Sequence, residues 1–284
     1  MISRDDVQAR LLVAPAVLLL VGIAGVPILA AAWMSLHRVI LVFRERRFVG
    51  LANYVFLARD SRFWDALAHT VYFAIVSVGL EFVLGLAFAV MLDRAVRGRA
   101  LLRVAVVLPW AIPTVVSARM WAWMFEPDRG LIARMPFMRG VNWLGQPGYA
   151  MHLAIFVDVW KSTPFVALLL LAGLQTIPAD LYRAARIDGA SSWRIFRSIT
   201  LPLLRPSILV ALLFRTLDAF RVFDVVYVLT GGGPANTTET LSIYAFKTLM
   251  RDGDFGYGTT LAVATFACVM AISAVYLRTL GRQP

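Results

Sequence analysis

Apolar positions occupy this chain in long blocks, and polar positions gather between the blocks rather than alternating within them. Leu11 to Leu36 is the first block, followed by stretches at about 70–92, 104–125, 149–177, 206–229 and 257–277. At 1.5 Å of rise per residue, each can cross a hydrocarbon core about 30 Å thick. Backbone in lipid must satisfy its own hydrogen bonds. The pattern therefore predicts six transmembrane helices in an all-α polytopic membrane protein. The first block is too long for a signal-peptide core and reads as an uncleaved helix. Residues 1–10 form a short polar N-terminus, and 11–284 a single transmembrane domain. Pro109 and Pro113 interrupt the third block and Pro164 the fourth. Proline removes an intrahelical bond and kinks a helix, which membranes tolerate beside a cavity or a neighbouring helix. Ordinary bundle kinks are the plainer alternative.

Composition removes the soluble alternative. By length, 284 residues fit one or two soluble domains. Yet 60% are hydrophobic and 16% charged, against about 25% charged in soluble domains. A net charge of +11 would suggest nucleic acid in a soluble chain. Here the arginines lie mostly between apolar blocks, so topology explains them and no nucleic-acid partner is expected. With both termini cytoplasmic, the inner segments 1–10, 93–103, 178–205 and 278–284 carry 13 Lys and Arg in 56 residues. The outer loops 37–69, 126–149 and 231–256 carry 11 in 83. The denser side is placed inside, despite the arginine-rich first outer loop with Arg44, Arg46 and Arg47. A single cysteine, Cys268, cannot form an internal disulfide.

The segment 178–205 is polar and long for a connection between two apolar blocks. Pro178 suits a helix start and Asp180 complements the positive end of its dipole. Leu181, Ala184 and Ala185 fall on one face at helical spacing. Gly189 ends this helix, since glycine accepts the left-handed conformation of a C-terminal cap. Ser191 or Ser192 can cap a second short helix bearing Trp193 and Phe196. The segment thus predicts helix, glycine turn, helix, with Pro202 and Pro206 leading into the fifth span. Two readings fit it. One is a docking element whose small residues allow close approach and whose aromatics anchor a partner. The other is an amphipathic loop resting on anionic membrane lipid.

The same segment resembles the cytoplasmic "EAA" loop of ABC importer permeases. Ala184, Ala185, Gly189, Ile199, Leu201 and Pro202 stand at that pattern's spacings, with Arg183 where Glu is usual. "GLANY" at 50–54, "LPWAIP" at 108–113 and "VVYVLTGGGP" at 225–234 extend the resemblance across the chain, within the carbohydrate-uptake branch. "LLFRTLDAFRVFD" at 212–224 is most similar to trehalose-type permeases. The resemblance implies a type I importer permease in the plasma (inner) membrane of a bacterium or archaeon. It implies a coupling helix that sits in a groove of a cytoplasmic ATPase dimer, through Ala184, Ala185, Asp188, Gly189, Ala190 and Trp193. It also implies a second permease subunit, an extracytoplasmic sugar-binding protein and a carbohydrate substrate, such as trehalose or maltose. ATP and Mg would belong to the ATPase, leaving this chain without a cofactor.

Glu81, Arg119, Asp158, Lys161, Arg215, Asp218, Arg221 and Asp224 fall in or near the predicted spans. A charge there is costly unless paired or hydrated, which marks each as a functional candidate. Glu81 alone reads best as a structural hydrogen bond between helices. Two sets share a helical face: Asp158, Lys161, Ser162 and Phe165 on the fourth span, and Arg215, Asp218, Ala219 and Val222 on the fifth. Such faces offer a sugar donors and acceptors together with an apolar wall. By resemblance, maltose-type permeases contact sugar at these positions. The alternative is Asp158–Lys161 and Arg215–Asp218 as intrahelical pairs that only neutralise each other.

No phosphate-loop sequence is present, and "TGGGP" at 230–234 lacks the following Lys-Ser. It reads as a turn after the fifth span. His37, His69 and His152 are too scattered for a metal site. Two rival functions remain: an ion-coupled carrier using Asp158, Asp218 and Asp224, and a membrane-embedded lipid-modifying enzyme. The first would favour internally repeated halves and the second a convergent acid–base set. Neither feature is visible.

Overall fold

The structure, a computed structural model, describes residues 4–94, 99–132, 134–136 and 140–280, with side chains omitted for 4–11, 94, 99, 100 and 280. Residues 1–3 of the predicted N-terminal segment, Arg97 of the basic 93–103 loop and the end of the chain lie outside it.

Helices carry the fold, in two compact units: Met1–Phe63 with Tyr244–Ala267, and Trp64–Ile243 with Cys268–Pro284. In the first unit, α1 (Arg4–Leu20) passes through a wide turn at Val21–Gly25 into α2 (Val26–Ser35). Leu12–Ser35 is long and apolar enough to cross a membrane. The next stretch is more structured than the loop expected over 37–69. Strands β1 (His37–Ile40) and β2 (Glu45–Phe48) form an antiparallel hairpin, with His37 opposite Phe48 and Ile40 opposite Glu45. Helix α3 (Ala52–Arg59) follows. The "GLANY" residues are its fastening. The Asn53 amide donates to the carbonyls of Ser35 and His37 at 2.8 and 3.0 Å. Tyr54 shares a 2.7 Å hydrogen bond with the buried Ser35 hydroxyl. These bonds satisfy polar groups at the end of α2 that helix geometry leaves open.

Asp60 ties together the rest of this unit. It accepts the Arg62 amide at the start of α4 (Ser61–Arg94) and the hydroxyls of Tyr244 and Tyr257, at 2.7 and 2.5 Å. Tyr244 lies in α12 (Leu241–Phe246) and Tyr257 in α13 (Phe255–Leu280). Burial and the Asp60 carboxylate push the Tyr244 phenol well above its usual range, which keeps it a donor.

The second unit is built on α7 (Pro147–Gln175). Its sequence is apolar on nearly all sides, as suits a helix enclosed by others. Met151, Ile155 and Val157 pack with Phe73 of α4 and with Val225 and Val226 of α11 (Asp224–Leu229). Farther along, Val166, Leu170 and Leu174 pack with Ala89 and Leu92 of α4 and Leu204 of α10 (Leu201–Phe220). Gly173 permits the α7–α10 contact: a Cβ there would lie 2.2 Å from Ser207 Oγ.

Helix boundaries depart from the apolar blocks in four places. α4 begins nine residues before Thr70, because Phe63 and Ala66 already bury an apolar face. The third block is two helices, α5 (Arg99–Ala111) and α6 (Thr114–Met124), bent by 92°. Pro113 is the cause: it disfavours helical geometry at Ile112 and caps α6 from an extended conformation. α7, by contrast, runs through Pro164 uninterrupted. Neighbouring Thr163 donates its hydroxyl to the Val159 carbonyl at 2.6 Å. The fifth span is displaced. Its helix is already running at Ser192 and ends at Phe220, so Pro202 and Pro206 lie within it. Residues 221–223 interrupt the helix, and α11 is a separate short helix. The break carries neither proline nor glycine, so no helix-stop signal marks it. The residues 230–234 form a turn, as expected. The amide of Gly231 donates to Val226 O, that of Gly232 to Thr230 Oγ1 and that of Gly233 to Thr230 O.

Candidate functional site

Helix α10 turns Arg215 inward, leaving 4% of its side chain exposed. Its Nε donates to Glu81 Oε2 at 2.5 Å and its Nη2 to Glu81 Oε1 at 2.7 Å, a two-pronged grip. Nη2 also donates to Asp158 Oδ2 at 3.0 Å, and Nη1 to Asp218 one turn along. One guanidinium thus binds α4, α7 and α10 together. Glu81 is wholly enclosed and the Asp158 side chain is 10% exposed, whereas that of Asp218 is 69% exposed. The cluster is therefore closed on the Glu81 side and open on the Asp218 side. The expected helix-to-helix role of Glu81 is realised, and its partner is Arg215. The expected Arg215–Asp218 pair forms. The expected Asp158–Lys161 pair does not, because Arg215 takes Asp158. The Lys161 ammonium instead reaches the Trp110 carbonyl at 3.5 Å.

The open side faces a cavity of about 610 Å³. Asp158, Lys161, Ser162 and Phe165 line it from α7, and Arg215 and Asp218 from α10, with Val222 just beyond. Ala219 is not on this wall: it is 2% exposed and packs in the core with Val226. Ala219 lies about 100° round the helix from the exposed Asp218, beyond the buried Arg215. Trp110 of α5 also lines it, stacked on Phe165 at 6.1 Å with 29° between the rings. Trp110 carried no signal in the sequence beyond its place in "LPWAIP". The cavity therefore offers acceptors, cationic donors, a hydroxyl and an aromatic face. Among the described residues, no group of three His, Cys, Asp or Glu side chains is placed to hold a metal ion.

The second predicted set lies elsewhere, on the loop between α7 and α10. Helix α8 (Ala179–Ile187) has no buried residue. It ends as its sequence requires. Gly189 has φ +74° and donates to Arg186 O at 3.1 Å, while the Ala190 amide donates to Ala185 O at 2.9 Å. This paired closure is the Schellman motif. A Cβ at Gly189 would meet nothing, so only the backbone angle demands glycine. Helix α9 (Ser192–Ile195) starts on a cap in which Ser191 Oγ accepts the Arg194 amide at 3.3 Å. It continues through Phe196–Thr200 into α10. Ala184, Asp188 and Gly189 are exposed and Ala185 and Ala190 half-buried. Ile187, 86% exposed, was not in the predicted set although it is the most uncovered apolar side chain of the loop. Trp193 has different surroundings: it stacks on Phe196 at 5.7 Å, beside the α4 residues Phe82 to Val90.

Residues 81–281 match the family described as binding-protein-dependent transport system inner membrane component. The chain is 46% identical to the trehalose/maltose transport system permease protein MalF of Thermococcus litoralis, over 97% of its own length and 94% of that protein. It is 43% identical to the trehalose transport system permease protein SugA of Mycobacterium tuberculosis, over 96% and 88% of the two chains. Among solved structures, a chain of a bacterial ABC transporter for import of the acidic polysaccharide alginate superposes with a TM-score of 0.84. Coverage there is 98% of each chain, at 21% identity.

Proposed function

The chain belongs to the family of binding-protein-dependent transport system inner membrane components, and on that premise we propose that its cavity carries a disaccharide of the trehalose or maltose kind. It is a permease subunit, a multi-pass membrane protein of an ABC importer. This class separates it from the ion-coupled carrier and the lipid-modifying enzyme. The observation that carries the substrate reading is the cavity wall. Asp158, Asp218, Lys161 and Ser162 supply donors and acceptors for hydroxyls, and the stacked Trp110–Phe165 pair supplies a face for C–H surfaces. The names of the two relatives support the same class of solute.

The pathway is shared with a second, similar permease, since this chain presents one cavity wall and one docking loop. A sugar-loaded extracytoplasmic binding protein delivers the solute. A cytoplasmic ATPase dimer, which holds ATP and Mg, grips the loop through Ala184, Ala185, Ile187, Asp188, Gly189 and Ala190. ATP-driven closure of that dimer moves the loop and turns the cavity outward; hydrolysis returns it inward. Both termini then lie in the cytoplasm. Reconstitution of the purified complex in vesicles tests this. Labelled trehalose or maltose is expected to enter only with ATP on the ATPase side and binding protein on the other, and entry survives an uncoupler. Uptake driven by a proton gradient without ATP would overturn the proposal.

A further inference from the structure

Two cavities adjoin where the docking loop meets α4. One, of about 460 Å³, is apolar, lined by Phe82, Val83, Leu86 and Val90 of α4 and by Trp193 and Phe196. The other, of about 470 Å³, is mixed: Tyr182, Arg183, Arg186, Thr200 and Asp93 give it a polar side, beside Leu174 and Ile195. Val90, Ser192 and Phe196 border both, so the two form one continuous amphipathic groove.

We propose that this groove binds an anionic phospholipid, its acyl chain along α4 and its phosphate at Arg183 and Arg186. The apolar half lies on Ser61–Asp93, a helix long and apolar enough to cross a membrane. Trp193 is 69% exposed and stacked on Phe196 at the junction of the two halves. Aromatic side chains take this position at membrane interfaces. Charge points the same way. Arg183 and Arg186 face Asp93 alone among the acidic residues of the polar half. The adjoining segments add Arg94, Arg97, Arg99, Arg103, Arg194 and Arg197 in sequence. Basic pockets between spans at a cytoplasmic face hold anionic headgroups. Arg183 also pairs with Asp180 at 2.8 Å, but both side chains are mostly exposed, 72% and 85%. Such a pair is weak and leaves guanidinium donors for phosphate. The substitution of Arg for Glu at 183, relative to the loops this one resembles, then has a physical reason: a carboxylate there would repel the headgroup. This site is independent of which solute the cavity carries. It also assigns Trp193 to the membrane rather than to the ATPase.

Bromine on an acyl chain quenches tryptophan on contact, which gives the test. The complex with its native partner subunits is placed in nanodiscs containing dibrominated phosphatidylglycerol or dibrominated phosphatidylcholine. The Trp193 signal is the difference between the parent and Trp193→Phe. The expected result is quenching at a mole fraction about thirtyfold lower for phosphatidylglycerol, the effect of two basic side chains near an anionic surface. Arg183→Gln with Arg186→Gln should erase that preference while leaving quenching at high lipid fraction. Equal quenching by the two lipids in the parent complex overturns the proposal, even if the double variant fails to assemble. So does loss of the preference in millimolar inorganic phosphate, which would make the ligand free phosphate. Protection of Trp193 from both lipids by the bound ATPase would make the groove a protein interface.

Discussion

Arg215 has no substitute at the site. It holds the enclosed Glu81, the nearly enclosed Asp158 and the open Asp218. Removing one partner of a buried ion pair costs about 3–5 kcal/mol, because the stranded charge stays desolvated. Arg215→Ala should therefore lower the melting temperature of the purified complex as well as uptake. Adding Glu81→Gln should recover much of the stability and none of the uptake; a double variant no more stable than the single would show that Glu81 is not what Arg215 holds. Asp218→Asn is the cleaner probe of transport. Its exposed side chain can change without stranding a buried charge, so the complex should keep its melting temperature while the sugar concentration for half-maximal uptake rises. Trp110→Ala should raise that concentration about threefold to tenfold, through loss of one aromatic wall. The face of Asp158, Lys161, Ser162 and Phe165 was legible in the sequence because helical spacing is local. The pairing of Arg215 with Glu81 was not, because it joins residues 134 positions apart and no local pattern records it.

At the scale of the element, the docking loop is the most legible part of the chain. Its cap, glycine and second cap are each set by neighbouring residues, and each appears at the expected position. Gly189→Val must hold a branched side chain at φ +74°, at a cost of about 1–2 kcal/mol for the left-handed conformation. The loop should lose its shape and the ATPase should no longer co-purify, while membrane insertion continues. Ile187→Asp should have the same effect on co-purification without altering the backbone. If the ATPase is retained by both variants, the loop is not its grip. Elements set by tertiary contacts were harder to foresee. The first outer segment is arginine-rich, and its apolar runs at 39–43 and 54–58 are too short to tell strand from helix. They are held by Asn53, Tyr54 and Asp60 reaching distant backbone and side chains. The break at 221–223 carries neither proline nor glycine, so no local stop signal announces it.

At the scale of the whole molecule, the bent pair α5–α6 decides the topology. Among the described residues, five helices are long and apolar enough to cross a membrane, and the bent pair makes six if it crosses once. With six crossings the two termini share a side with the 179–195 loop; with five, that loop faces away from the N-terminus. Cysteine labelling separates the two. In a Cys268→Ser background, Ile187→Cys should react with an impermeant maleimide only from the cytoplasm, and Arg44→Cys only from outside. The reverse pattern would invert the topology, and labelling of both from one side would mean that the bent pair does not cross. The long helix Ser192–Phe220 has a further consequence for such a molecule. It joins the docking loop directly to Arg215 with no flexible linker between them. Arg215 lies 23 residues from Ser192, which at helical rise is about 35 Å. A tilt of about 10° imposed at the loop would swing the guanidinium by about 6 Å, roughly one helical turn. A lever of that length needs only a small angular stroke at its short end to pry open the clasp at the other.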